Sequence, residues 1–222
     1  MAQHSARPSV KERPPLLNRG IYDAVEVARL VHTTPETISR WASKQASKPA
    51  IVDPLRGKLF TFPDLISLYV VHELRLRQVP LDEIRSARRT LADALHTPWP
   101  FAHRELATAG RALFAQLPGA KDWIDAGKGA QGAFQPMVVP FLRPIEYGGD
   151  DLAAIWFPLD GIWVNPRVQA GAPCIKDTRV PTAVIQSLLD QGEDAEDIAD
   201  DLDLELAQVL AAHEFEASLP AS

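Results

Sequence analysis

The chain has 222 residues, 46% of them hydrophobic and 23% charged, the composition of a water-soluble globular protein of one large or two small domains. A single cysteine, Cys174, excludes an internal disulfide and a multi-cysteine zinc site, and the six histidines lack ligand spacing, so neither a metal nor another cofactor is expected. The net charge of -6 is unevenly placed: residues 1–111 hold 17 Lys and Arg against 11 Asp and Glu, whereas residues 112–222 hold 6 against 18. A basic half and an acidic half imply two kinds of partner.

In chain order, residues 1–19 are polar, carry three prolines and four cations, and read as a disordered arm. They contain no signal-like apolar segment, and no run in the chain is long enough to span a bilayer. The expectation is a cytoplasmic protein without a membrane partner.

Residues 20–97 read as a winged helix-turn-helix. Asp23 caps a first helix and Glu26 closes its capping box, with Ala24, Val27, Ala28 and Val31 on one face. Thr34-Pro35 restarts the chain as N-cap and first helical residue of a second helix. There Ile38 and Trp41 face inward, while Thr37, Arg40 and Lys44 share the outer face with Ser39 nearby, an arrangement for entering a major groove. Ile51-Val52 and Leu59-Phe60 read as strands of a hairpin tipped by Arg56 and Lys58, placed to touch phosphates. Thr61 with Asp64 caps a third helix carrying Leu65, Leu68, Tyr69 and Leu76, and Pro80-Leu81-Asp82-Glu83 opens a fourth. The other reading of this stretch is a helical subdomain packed on something else.

The series Tyr22, Glu26-Val27-Ala28, Thr34, Thr37-Ile38-Ser39-Arg40-Trp41, Arg56-Gly57-Lys58, Phe60, Asp64-Leu65, Leu74-Arg75 and Pro80-Leu81-Asp82-Glu83-Ile84-Arg85 resembles the DNA-binding domain of the MerR family. The resemblance implies operator DNA as a partner, with Thr34, Thr37, Ser39, Arg40, Lys44, Arg56 and Lys58 as contacts. The sequence departs from the family at Lys58-Leu59-Phe60, where a cation is kept and a tyrosine hydroxyl is lost. Thr97-Pro98-Trp99-Pro100 ends the fourth helix too early for that family's dimer coiled coil.

Residues 98–160 read as a small α+β middle region. A hairpin over Arg104 to Ala115, a helical turn over Lys121 to Ala126 and a flexible loop over Gly127 to Gly132 are expected. An apolar stretch from Met137 to Leu142 follows. Then comes a hairpin of Ile145–Tyr147 with Leu152–Phe157 around Gly148-Gly149-Asp150-Asp151. The glycine-rich loop lacks the lysine spacing of a phosphate loop.

Residues 161–222 change character, with a turn-rich lead and three helices over Thr182 to Gln191, Ala195 to Leu202 and Leu204 to Ser218. The last is expected to carry Leu206, Val209, Leu210 and His213 on one side. Asn165-Pro166, Gly171, Pro173, Ile175-Lys176, Thr178-Arg179-Val180-Pro181, Gly192 and Glu196-Asp197-Ile198-Ala199 resemble a compact family of helix-turn-helix-shaped domains of unknown function found in antitoxins. Asp177 stands where that family has glycine; if the turn needs positive φ, aspartate tolerates it. Between Glu193 and Glu216 lie ten carboxylates and no Lys or Arg, which repels phosphate and points to protein binding.

The chain is therefore read as mainly α with small β elements, an α+β protein. It resembles a VapB-type antitoxin, which implies a homodimer that inhibits a PIN-domain ribonuclease toxin and represses its own operon. Ile185, Leu188, Leu189 and Val209 are the expected dimer or partner contacts. Lys176 and Arg179 either block the toxin's acidic site or brace their turn. The alternative is a stand-alone MerR-like regulator sensing a small ligand through its middle region. No nucleophile–base pair or cofactor loop points to an enzyme, and no catalytic residue is assigned.

Overall fold

The computed structural model describes residues 21–43, 50–55, 59–106 and 142–220. Lys44, Arg56, Lys58, the arm at 1–19 and most of the middle region, including the helical turn and glycine-rich loop expected there, lie outside these residues; of the hairpin expected over Arg104 to Ala115 only residues 104–106 are described, and they are helical rather than extended.

Local capping sets the first helices. Helix α1 (Ala24–Leu30) starts at Asp23, whose Oδ1 accepts from the Val25 and Glu26 amides, while Glu26 Oε2 accepts from the Asp23 amide at 2.7 Å. Two orphan donors at the helix start and one at the cap are thereby satisfied. The chain turns at His32, which has φ 56°, and Thr34 caps α2 (Pro35–Ala42) through the Thr37 amide. Val27, Ala28, Leu30, Val31, Ile38 and Trp41 are buried, so the pair packs by apolar faces as expected.

The hairpin beyond α2 differs from expectation. Ile51 and Val52 are both buried in a bend, and two consecutive buried residues do not fit a half-buried strand, whose side chains alternate. The Ile51 amide instead donates to the Trp41 carbonyl, and Leu55 and Leu59 pair in an isolated antiparallel bridge. The true partner of β2 (Phe60–Thr61) is β1 (Ile21–Tyr22), with Tyr22 opposite Phe60 and both rings buried.

Helix α3 (Phe62–Leu76) is the core of this lobe, with ten buried residues. Leu76, the last of the apolar residues noted on this helix, is exposed at its end. The start of α3 is tied twice over: Asp64 Oδ2 accepts from the Thr61 amide and hydroxyl, and Asp64 Oδ1 accepts from Trp99 Nε1 at 2.8 Å. Helix α4 (Leu81–Leu95) ends at His96 in the left-handed region, ahead of Pro98. The chain then returns to α3 through a 3₁₀ turn (Pro100–Ala102) that buries Phe101. This lobe thus runs past the expected boundary at residue 97.

The second lobe begins earlier than residue 161. Strands β3 (Ile145–Tyr147), β4 (Ala153–Leu159), β5 (Ile162–Val164) and β6 (Pro173–Ile175) form one antiparallel meander. The hairpin around Gly148 to Asp151 is as read from sequence, and the next turn, at Gly161 with φ 78°, carries the sheet across the expected boundary. Helices α5 (Thr182–Asp190), α6 (Ala195–Asp201) and α7 (Leu206–Ser218) follow. On α7 the buried stripe is Val209, Ala212, Phe215 and Glu216, whereas Leu206, Leu210 and His213 are exposed. The architecture is α+β, as expected, and one continuous apolar core joins both lobes. No described helix is long and apolar enough to cross a membrane.

Because the Asp64 carboxylate holds both a helix cap and a half-buried indole N–H, Asp64→Ala is expected to cost about 2–4 kcal/mol, and Trp99→Phe about 1–2 kcal/mol. Urea unfolding of the two variants checks the order.

Candidate functional site

The outer face of α2 is built by division of the helix. Burial of Ile38 and Trp41 turns Thr34, Thr37, Ser39 and Arg40 outward, with Thr34, Ser39 and Arg40 exposed and Thr37 half-buried. Arg40 Nη2 donates to Thr37 Oγ1 at 3.2 Å, and Thr34 and Thr37 hydroxyls are 3.2 Å apart. A guanidinium leaning on a neutral hydroxyl keeps most of its donors for an outside acceptor such as a base edge or phosphate. Lys44, expected on the same face, lies outside the described residues, as do Arg56 and Lys58.

Behind that face α1 meets the C-terminal helices. Arg29, in the last turn of α1, donates from Nη2 to Glu216 Oε2 on α7 at 2.6 Å. Glu216 Oε1 accepts from the Thr182 hydroxyl at the start of α5 at 2.5 Å. The Glu216 side chain is only 4% exposed and that of Arg29 36%, so the carboxylate is the buried partner and depends on its two donors. Tyr22 donates its hydroxyl to the Gly171 carbonyl at 3.0 Å. Burial pushes that phenol far above its ordinary value and the nearby Glu26 carboxylate adds to it, so it stays a donor. Tyr69 on α3 packs against Trp156 on β4, ring centroids 4.9 Å apart. Arg104 donates to the Tyr147 and Gly148 carbonyls and pairs with Asp151.

Sequence reasoning missed Glu216, Arg29, Thr182 and Tyr22. A signal existed: Glu216 is in phase with Val209 and Ala212 at i, i+3 and i+7, so it is a carboxylate on the apolar stripe. Of the ten carboxylates from Glu193 to Glu216, the other nine are exposed.

The remaining expected contacts are placed as follows. Ile185 and Val209, expected in a dimer or partner interface, are fully buried between the helices of their own lobe and belong to its core. Leu188 and Leu189 are half-buried, and the exposed large apolar side chains of α5 and α7 are Val184, Leu206 and Leu210. Lys176 and Arg179 point to solvent, with Lys176 Nζ 5.8 Å from the centroid of the Phe157 ring. Their turn is braced by Thr178, whose hydroxyl donates to the Ile175 carbonyl and accepts from the Val180 amide. Asp177 does adopt positive φ, at 61°. Burial pushes the Cys174 thiol up to about 11, so it stays protonated at neutral pH.

Comparison with known proteins places part of this chain. Residues 162–215 match the family described as "Protein of unknown function (DUF433)", a span from β5 into α7 that ends one residue before Glu216. The chain is 27% identical over 224 residues to "Uncharacterized protein Rv2308" of Mycobacterium tuberculosis (strain ATCC 25618 / H37Rv), covering 90% of this chain and 91% of that protein. The crystal structure of Rv2018 from Mycobacterium tuberculosis superposes with a TM-score of 0.67 at 21% identity, over 90% of this chain and 98% of that one, a likeness of fold.

The seam predicts an asymmetric response to substitution. Arg29→Met leaves a buried carboxylate without its cation and is expected to cost about 2–4 kcal/mol. Glu216→Gln in that background should recover part of the loss, with a coupling energy of about 1–2 kcal/mol in a double-mutant cycle read by denaturant unfolding.

Proposed function

We propose that the chain is a DNA-binding repressor of the antitoxin type, which reads an operator through α2 and holds a protein partner through its acidic C-terminal lobe. The observation that carries this reading is the two-sided α2: Ile38 and Trp41 anchor it, and Thr34, Thr37, Ser39 and Arg40 stand outward from the basic half of the chain. A recognition helix needs both, since base readout requires side chains presented from a rigid support.

The opposite charge of the second lobe supports a division of labour. Nine exposed carboxylates between Glu193 and Glu214 oppose any approach of phosphate, so this surface suits protein. Exposed Leu206 and Leu210 on α7 offer an apolar centre with an acidic rim, the composition of an ordinary protein interface. The resemblance of this lobe to antitoxin domains supports a PIN-domain ribonuclease as the partner, and a two-fold operator calls for a homodimer.

The lobes share an ion pair with a buried carboxylate, so the reading is tested in the full chain rather than in fragments. Arg40→Ala should weaken binding to the DNA upstream of the protein's own gene by about 1–3 kcal/mol while leaving a non-specific duplex within a few tenths. Glu205→Lys/Glu214→Lys, on the far lobe, should leave the operator gel shift intact and reduce rescue of growth when the adjacent gene's product is co-expressed. An operator affinity unchanged in Arg40→Ala rejects the recognition helix. Failure of the wild-type chain to bind or neutralise the adjacent product rejects the antitoxin part alone.

A further inference from the structure

We propose that Arg40 reads a guanine from the major groove and that Thr37 is the residue that positions it, an inference that rests on the operator reading above. Three contacts on the outer face of α2 form a short relay. Thr34 Oγ1, the helix cap, accepts from the Thr37 amide at 3.3 Å and lies 3.2 Å from Thr37 Oγ1. Thr37 Oγ1 in turn accepts from Arg40 Nη2 at 3.2 Å. The cap therefore fixes Thr37, and the half-buried Thr37 holds the guanidinium of an exposed arginine.

The relay decides where the guanidinium stands. Side chains on a helix lean toward its N-terminus, and residues three apart are neighbours on one face. The contact with Thr37 draws the Arg40 head back over the first turn of α2, the part of a recognition helix that meets base edges. Without that anchor a long side chain is free to swing out to the phosphates flanking the groove. Glu36 stands four residues before Arg40, at the spacing of a helical ion pair, yet Arg40 takes the neutral hydroxyl. Glu36 is instead tied to the helix start, where its own amide and the Thr34 hydroxyl hold its carboxyl below the ordinary value. The positive charge of Arg40 is thus left for an outside acceptor.

The chemistry of the head selects the base. A guanidinium carries only donors and no acceptor. With one N–H given to Thr37, a fork of two parallel donors remains. Only guanine offers two acceptors side by side in the major groove, O6 and N7. Adenine sets an amino donor beside its N7, thymine has a single oxygen and cytosine presents a donor, so each wastes or opposes half of the fork. Loss of the Thr37 hydroxyl leaves the charge in place and releases its aim, which distinguishes a positioning residue from a second contact.

The experiment selects duplexes from a randomised library with the full wild-type chain, with Arg40→Ala, and with Thr37→Val and Thr37→Ser. Wild type should enrich a site with a fixed guanine that Arg40→Ala no longer selects. In that site 7-deazaguanine, which lacks N7, should weaken wild-type binding about tenfold, whereas inosine, which keeps O6 and N7, should bind within about twofold. Thr37→Val should lower the preference for guanine over adenine about threefold with non-specific affinity unchanged, and Thr37→Ser should restore it. A guanine preference intact in Arg40→Ala, or a uniform loss across all sequences, makes Arg40 a phosphate contact at most and overturns the proposal. Thr37→Val indistinguishable from wild type, or Thr37→Ser behaving like Thr37→Val, overturns the role of Thr37 while the operator reading stands. No site enriched by the wild-type chain rejects the operator reading itself and this inference with it.

Discussion

The Arg29–Glu216 pair is the constraint on which the relation of the two lobes rests. A carboxylate that is 4% exposed on the inner face of α7 is tolerable only because α1 brings a guanidinium to one oxygen and Thr182 a hydroxyl to the other. Neither lobe satisfies that group alone. Tyr22 on Gly171 and Tyr69 on Trp156 add a buried hydrogen bond and a ring contact between the lobes. The helix that supports α2 is therefore also part of the seam, and the surface proposed to read DNA stands on the same core as the surface proposed to bind protein.

Much of this fold was legible where the cause is local. Asp23 with Glu26, Thr34 with Pro35, and Thr61 with Asp64 are capping signals spanning three residues or fewer, and each sits where the sequence puts it. The hairpin at Gly148 to Asp151 and the three C-terminal helices were legible for the same reason. What the sequence hid is long-range. Tyr22 pairs with Phe60 rather than Val52 with Phe60, because burying two rings outweighs closing the nearer hairpin. The pairing of β4 with β5 through the turn at Gly161 reaches across residue 161, a contact that no local signal announces. Glu216 looked like one more member of an acidic run, since its cation stands 187 residues away.

The candidate DNA face was legible residue by residue, because a helix period alone decides which of Ile38, Ser39, Arg40 and Trp41 point inward. The interface residues were not. Ile185 and Val209 are apolar and in phase, and period does not tell a core stripe from a partner stripe when both faces of a helix carry apolar residues. On α7 that ambiguity resolved in favour of Val209, Ala212 and Phe215 inward and Leu206 and Leu210 outward. The charge asymmetry of the chain survives this correction, with one difference: the two halves are joined by an ion pair exchanged between them.

The central claim is that the N-terminal lobe and the C-terminal lobe are one cooperative unit locked at Arg29, Thr182 and Glu216. Native-state hydrogen exchange of the full chain in rising denaturant tests it most directly. The account predicts that the amides of Val27 to Val31 in α1 and of Val209 to Phe215 in α7 converge on one opening free energy and one denaturant slope. Exchange of the α1 amides through a separate opening of lower free energy and shallower slope, with α7 still protected, would contradict it.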